Sequence, residues 1–329
     1  MNQKRATLKD VAARAGVSLA SVSYAVNGTG TLGEAMRAHI LQVAEELGYR
    51  QNIAAKSVRT GKSSTLGLVI PDLANPFFPN LVQAVIQRAR QHGYTVVVID
   101  VEDDQQLERK AMQTLESHGV DGIIWFPIRD ENTAVEGTGS VPMVVLDRVI
   151  PGFETVRADD LAAGDLAAAH LLELGHRRFG IVSGPCSIRS MADRCRGALE
   201  RIAGQGDVIF HVETGYSRDL EPSVRQALES QNVTAIITGG DMIAIGVIRC
   251  LQAMGKRVPD DVSVMGMDDI PWAQLSTPPL TTVEIPIEDM AIEAVDGVIR
   301  RMEADGERSR RVILDPALVV RQSTAGVSL

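Results

Sequence analysis

"LKDVAARAGVSLASVSYAVNG", residues 8–28, holds two different helical rhythms separated by one glycine. Leu8, Val11, Ala12 and Ala15 recur at helical spacing, Gly16 interrupts them, and Ser18 stands where a second helix needs its cap. Val22, Ala25 and Val26 form the inner face of that second helix, and the small residues Ala12, Ala15 and Gly16 let the pair approach closely. Leu19, Ala20, Ser23 and Tyr24 remain outside, on a face that fits a major groove. A third amphipathic stretch, "EAMRAHILQVAEELGY", turns Ile40, Val43, Ala44 and Leu47 toward the pair and ends at Gly48. Spacing alone leaves two readings open: a three-helix bundle without a partner, or one that reads DNA.

Charge bears on that choice. Residues 1–62 carry nine Lys and Arg against Asp10, Glu34, Glu45 and Glu46, a net of +5, so the remainder of a chain with formal charge −9 carries −14. A basic front on an acidic body is the asymmetry expected when one end meets phosphates and the rest stays off the duplex. The 329 residues exceed the roughly 100–200 of one domain, and 45% apolar with 23% charged residues is ordinary for a globular protein. "MNQKRATLKD" lacks an apolar targeting region, and no run approaches the ~18 apolar residues of a membrane helix, so a cytoplasmic protein is expected. Cys186, Cys195 and Cys250 are widely spaced and read as reduced core thiols. The six histidines are scattered, and neither a metal nor a cofactor is expected.

From Thr65 the pattern changes to short apolar runs alternating with amphipathic stretches: "TLGLVIP", "LVQAVIQRARQHG", "YTVVVID", "LERKAMQTLESHG", "VDGIIWFP", "MVVLD". A second set runs from "AAGDLAAAHLLELG" through "RFGIVSG", "TAIITGG" and "MIAIGVIRCLQAMG" to "VSVMGMDD". Such alternation signals parallel sheets with crossover helices. The fold class expected is therefore α/β: a helix-turn-helix headpiece followed by a two-lobed core of parallel sheets flanked by helices, with a ligand cleft at the carboxyl ends of the strands.

"TLKDVAARAGVSLASVSYAVNG" followed by "ELGYRQNIAAKSVRTGKSSTLGLVIPDLANPFF" resembles the amino-terminal region of LacI/GalR-family transcriptional regulators. The likeness continues through "LLELGHRRFGIVSGP", "VPDDVSVMGMDD" and "PPLTTVEIP" to "LVVRQST", essentially the whole chain. It implies a DNA-binding headpiece (1–50), a hinge helix and linker (51–62) and an effector-binding, dimerising core (63–329) that resembles periplasmic sugar-binding proteins. The amino-proximal lobe is expected at about 63–161 and 289–319, the other at about 162–288 and 320–329. By the same resemblance Thr7, Ser18, Ser23 and Asn27 align with phosphate-positioning residues, Leu19, Ala20 and Tyr24 with positions facing base edges, and Ser21 joins that DNA-facing set. In "NIAAKSV", Asn52 aligns with the hinge cap, Ala55 with the close approach of two hinges, and Val58 with a leucine that wedges into the minor groove. Val58 is shorter than leucine, Gln51 stands where proline is common, and Gly33 replaces a usual serine cap.

For the core, Asp147 ends "MVVLD", Asp268 ends "VSVMGMD" and Arg194 follows "GIVSGP"; the resemblance aligns each with an effector contact. Two carboxylates and a guanidinium suit the hydroxyls of a polyol, although a structural ion pair would use the same residues. Trp125, Phe77 and Tyr216 align with pocket walls, with core packing as the other reading, and Asn75 and Ser190 complete the set. Gly240 occupies the place of an asparagine common in sugar-responsive members, which leaves Asp241 to cap the following helix. Arg189 and Asp193 could replace the lost polarity, Arg189 favouring an anionic ligand.

"VNGTG", "VSGP" and "TGGD" complete neither GxGxxG nor a P-loop, and no nucleophile–base constellation stands at a strand end, so an enzyme is not expected. The basic front argues against a transport-type binding protein. The function expected is a DNA-binding transcriptional regulator, a repressor, dimeric on a near-palindromic operator and controlled by a small effector. That effector is a sugar or sugar derivative, with an anionic metabolite or nucleobase as the alternative.

Overall fold

The structure, a computed structural model, describes residues 6–50, 61–131, 141–216, 218–230, 232–303 and 309–327. The chain divides into two compact units, Met1–Ser63 and Ser64–Leu329.

The first unit holds α1 (Leu8–Ala15), α2 (Leu19–Asn27) and α3 (Glu34–Glu46). Thr7 caps α1 in a reciprocal box with Asp10, and Gly16 closes it in the left-handed region at φ 66°. Ser18 then caps α2 by accepting from the Ser21 amide. Val11, Val22 and Ile40 are fully buried together, ringed by Ala12, Ala25, Val43 and Ala44, so the helical spacing of the apolar residues becomes a core. Asn52, Ala55 and Val58 of the expected hinge lie outside the described residues.

The second unit contains two six-stranded sheets. One is all parallel in the order β11–β5–β4–β3–β1–β2, built from β1 (Thr65–Ile70), β2 (Thr95–Asp100), β3 (Gly122–Trp125), β4 (Met143–Leu146), β5 (Glu154–Ala158) and β11 (Arg311–Leu314). The other, β12–β10–β9–β8–β6–β7, comprises β6 (Arg178–Ser183), β7 (Asp207–Glu213), β8 (Ala235–Thr238), β9 (Ser263–Asp268), β10 (Thr281–Glu284) and an antiparallel edge, β12 (Ala317–Val319). Central strands such as β3, β4 and β8 are buried at every residue, as strands covered on both faces must be. The covering helices are α4 (Phe77–Gln91), α5 (Gln105–Ser117), α6 (Asp160–Glu173), α7 (Arg189–Ile202), α8 (Pro222–Ser230), α9 (Asp241–Ala253) and α10 (Ile287–Glu303). No helix among the described residues is long and apolar enough to cross a membrane.

The chain passes between the lobes after β5, after β10 and after β11. The last passage lies at 315–316 rather than near 319, because Ala317–Val319 already pairs with β10 in the second sheet. Helix α10 begins at Ile287, two residues ahead of the expected boundary.

Helices α6 and α7 cross backbone against backbone. A Cβ on Gly164 would collide with the Arg194 carbonyl, and one on Gly197 with the carbonyl of Leu161. Both partners are backbone atoms, so the added methyl cannot be accommodated by a rotamer change. Gly164→Ala is expected to lower stability by about 1–3 kcal/mol, read as a lower urea midpoint, whereas an unchanged midpoint would mean the two helices slide apart without cost.

Candidate functional site

The strand ends of both lobes converge on a narrow cleft of about 70 Å³. One lobe contributes Asn75, Phe77 and Phe78 at the start of α4, Asp103 after β2, Phe126 after β3, and Asp147 with Arg148 after β4. The other contributes Ser190 and Arg194 from α7, Tyr216 after β7 and Asp268 at the end of β9. Backbone strain marks this rim: Asp103, Asp147 and Asp268 all sit at positive φ (55°, 64° and 112°). Aspartate is among the few side chains that visit the left-handed region, although 112° lies beyond its usual range.

Arg148 lines the cleft beside Asp147. Its guanidinium is buried, pairs with Asp147, donates to Ser190 Oγ at 3.0 Å and lies 5.3 Å from the centre of the Phe126 ring. Burial pulls its pKa below the ordinary arginine value. Ser190 Oγ in turn donates to Asp147 Oδ2 at 2.9 Å, and the Arg189 amide donates to Asp130 Oδ2 at 2.8 Å. These bonds fasten the start of α7 across the cleft to the other lobe. Arg148 Nε and Asp130 Oδ1, 4.0 Å apart, are both buried without a hydrogen-bond partner among the described residues, too far apart for a direct bond.

Arg194 anchors the second wall. Nε donates to Asp160 at 2.9 Å, and Nη1 donates to the Gly239 carbonyl at 2.8 Å and to Asp268 at 2.9 Å. Burial alone would lower its pKa, but Asp268 and Asp160 hold it above the ordinary value. Burial pushes both carboxyls up, against the opposing pull of the Arg194 guanidinium that each of them faces. Asp241 is raised further by burial and by the charge of Asp268. Burial pushes the Tyr216 phenol up to about 12, so it remains a neutral hydroxyl at neutral pH.

Seven of the eight effector residues expected from the sequence line this cleft: Asn75, Phe77, Asp147, Ser190, Arg194, Tyr216 and Asp268. Trp125 does not. Its indole is fully buried beneath α5, beside Met112 and Leu115, and donates to Glu108 Oε1 at 2.9 Å. Strand residues alternate faces, so Phe126, one position on, supplies the cleft wall instead. Asp241 does not cap α9 either: its carboxylate accepts from Thr282 Oγ1 at 2.6 Å and from the Ile270 amide at 2.9 Å. Arg189 is largely exposed and faces Asp193, and neither belongs to the lining. A Cβ at Gly240 would lie 3.0 Å from Asp268 Oδ2, so the position of the missing asparagine does face the site. The sequence reading missed Asp103, Arg148, Phe78 and Phe126. Arg148 directly follows the strand-ending Asp147, a signal that was available.

On the headpiece, Leu19 and Tyr24 are each 47% exposed, and Ala20 is exposed beside them. Ser21 and Ser23 are half-buried, and Asn27 Nδ2 donates to the Ser23 carbonyl at 2.6 Å. The Thr7 and Ser18 hydroxyls serve as helix caps and stand exposed at the starts of α1 and α2. This exposed face combines apolar side chains with neighbouring hydroxyls.

Comparison with known proteins places both units. A description of bacterial regulatory proteins of the lacI family matches residues 7–52, and one of a periplasmic binding protein-like domain matches 168–324. The ribose operon repressor of Halalkalibacterium halodurans is 34% identical over 327 residues, covering 97% of each chain. A crystal structure of the Lac repressor dimer bound to operator and the anti-inducer ONPF superposes with a TM-score of 0.87 at 27% identity, covering 98% of this chain and 100% of that one. A LacI family regulator from Enterococcus faecium with bound ribose superposes at 0.72 and 25% identity, covering 80% of this chain and 100% of that one.

Arg194→Met leaves Asp160 and Asp268 buried without their cation, and a loss of about 3–5 kcal/mol in unfolding free energy is expected. Adding Asp160→Asn should recover part of it. A loss in the double variant equal to the sum of the Arg194→Met and Asp160→Asn losses would show that the pair is not coupled.

Proposed function

This chain belongs to the LacI family of bacterial regulatory proteins, and from that premise we propose a transcriptional repressor, dimeric on a near-palindromic operator, whose DNA affinity is set by a neutral sugar of pentose size in the cleft. The observation that carries the effector class is the charge of the lining. Asp72, Asp103, Asp147 and Asp268 face only Arg148 and Arg194 as cations among the described lining residues, and both arginines are already paired with carboxylates. Such a surface offers acceptors to hydroxyl groups and repels a phosphate or an acid. The side chain that would have anchored an anion, Arg189, lies outside it. Phe77, Phe78 and Phe126, packed edge to face, supply the apolar wall that covers the C–H face of a sugar ring. Two of the relatives support this reading: one is a ribose operon repressor, and the E. faecium regulator holds ribose.

Binding and closure are coupled through the bonds that cross the cleft. A ligand hydroxyl that takes over a bond from Ser190 to Asp147 or Arg148 changes the balance between open and closed lobes, and any effect on DNA affinity is matched by an equal effect of DNA on sugar affinity. In the headpiece Leu19, Ala20 and Tyr24 read base edges, while Thr7, Ser18, Ser21, Ser23 and Asn27 set the register on phosphates.

Calorimetric titration of the full chain with D-ribose, D-xylose, ribose 5-phosphate and hypoxanthine tests the effector. A neutral pentose is expected to bind, and Asp103→Asn, which tolerates the same left-handed backbone, to weaken it by about 10–100-fold. Preferential binding of the phosphate or the base would reverse the assignment. For the DNA face, selection from a randomised operator library should return a different preferred sequence for Tyr24→Ala, with about 1–3 kcal/mol of discrimination lost at the contacted position. A uniform loss across all sequences would make Tyr24 a backbone contact.

A further inference from the structure

Beside the cleft, three soft donor atoms converge that the sequence scatters over 26 positions. Cys186 lies in the turn between β6 and α7, Cys195 on α7 and His211 on β7. The two sulfurs are 3.8 Å apart, and His211 Nε2 is 3.8 Å from Cys195 Sγ and 4.0 Å from Cys186 Sγ. Zinc–sulfur and zinc–nitrogen bonds of about 2.3 and 2.0–2.1 Å in a tetrahedron require donor separations of about 3.5–3.8 Å, so the three edges match one tetrahedral face to within about half an ångström.

We propose that Cys186, Cys195 and His211 form a binding site for a thiophilic d¹⁰ metal ion of the zinc class, with Glu213 or water in the fourth position. Two thiolates with an imidazole select such ions over magnesium or calcium. Burial of the three donors is graded: Cys195 is buried, Cys186 half-buried and His211 exposed, which leaves an entry path on the imidazole side. Glu213 is within reach of the same turn, since its carboxylate accepts from the Cys186 amide at 3.1 Å. Ser183 Oγ, 3.0 Å from His211 Nε2 and 3.5 Å from Cys186 Sγ, occupies the remaining side of the cluster. A plain thiol pair awaiting oxidation would not need the imidazole nitrogen close to both sulfurs, and its sulfurs would have to close from 3.8 Å to about 2.05 Å.

The location gives the ion a structural reach. Cys186 precedes Ser190 by four residues and Cys195 follows Arg194 directly, so an ion held there ties β7 to the same segment of α7 that forms the cleft wall. The site is independent of which molecule fills the cleft.

Cobalt(II) is the probe, added to the reduced, metal-free full chain while the thiolate-to-cobalt charge-transfer absorption is followed. Saturation at one cobalt per chain, displacement of the band by zinc, and a zinc-dependent rise in melting temperature are expected. His211→Ala, at an exposed position, should weaken cobalt binding by at least about tenfold, the cost known even for an outer-sphere partner. Cys186→Ser should abolish the charge-transfer band, and Cys250→Ala should leave it intact. Absence of a stoichiometric band, a band indifferent to His211→Ala, or loss of both thiols to a disulfide without metal uptake would each overturn the proposal.

Discussion

The crossing of α6 and α7 at Gly164 and Gly197 is the constraint on which the cleft depends. With no Cβ at either position the two backbones meet, and that approach brings Asp160 within 2.9 Å of Arg194 Nε. Arg194 can then reach Gly239 and Asp268 on the neighbouring strand ends and hold them as one wall. A buried guanidinium is costly to desolvate, so the wall is stable only while all of these acceptors stay in place. A packing detail of two glycines thus becomes an electrostatic feature of the site.

The opposite wall is built on a different device. Arg148 lies between Asp147, Ser190 and the Phe126 ring and lines the cleft. Its contacts are divided between the lobes, whereas those of Arg194 lie within one lobe. Arg194 therefore belongs to one wall, whereas Arg148 bridges the two lobes. The left-handed backbone at Asp103, Asp147 and Asp268 fits this picture, since strained rim residues persist where the surrounding structure over-determines them and are common at ligand clamps.

The two units divide the electrostatic work. The headpiece region is basic, and its exposed face presents Leu19, Ala20 and Tyr24 with hydroxyls around them. The body carries −14, which keeps it soluble and opposes nonspecific contact with a polyanion. Inside the body the excess of carboxylates continues into the cleft lining.

By itself the sequence determined the elements and their order. The spacing of Leu8, Val11, Ala12 and Ala15, the break at Gly16 and the cap at Ser18 are local, and local rules read them correctly. The alternation of short apolar runs with amphipathic stretches likewise specified a parallel-sheet body in two lobes, while the resemblance to LacI/GalR regulators singled out Asp147 and Asp268 at strand ends and Arg194 on the following helix. Tertiary structure alone decided which face each side chain serves and which distant residues meet. Trp125 and Phe126 differ by one position and therefore point to opposite sides of β3, a choice set by how the strand registers against its neighbours. Asp241 reaches Thr282 rather than its own helix, because strand β10 lies beside β9 in the folded sheet. Cys186, Cys195 and His211 converge only when β6, α7 and β7 are stacked, and the pairing of strands far apart in the chain is a long-range property that no window of sequence contains.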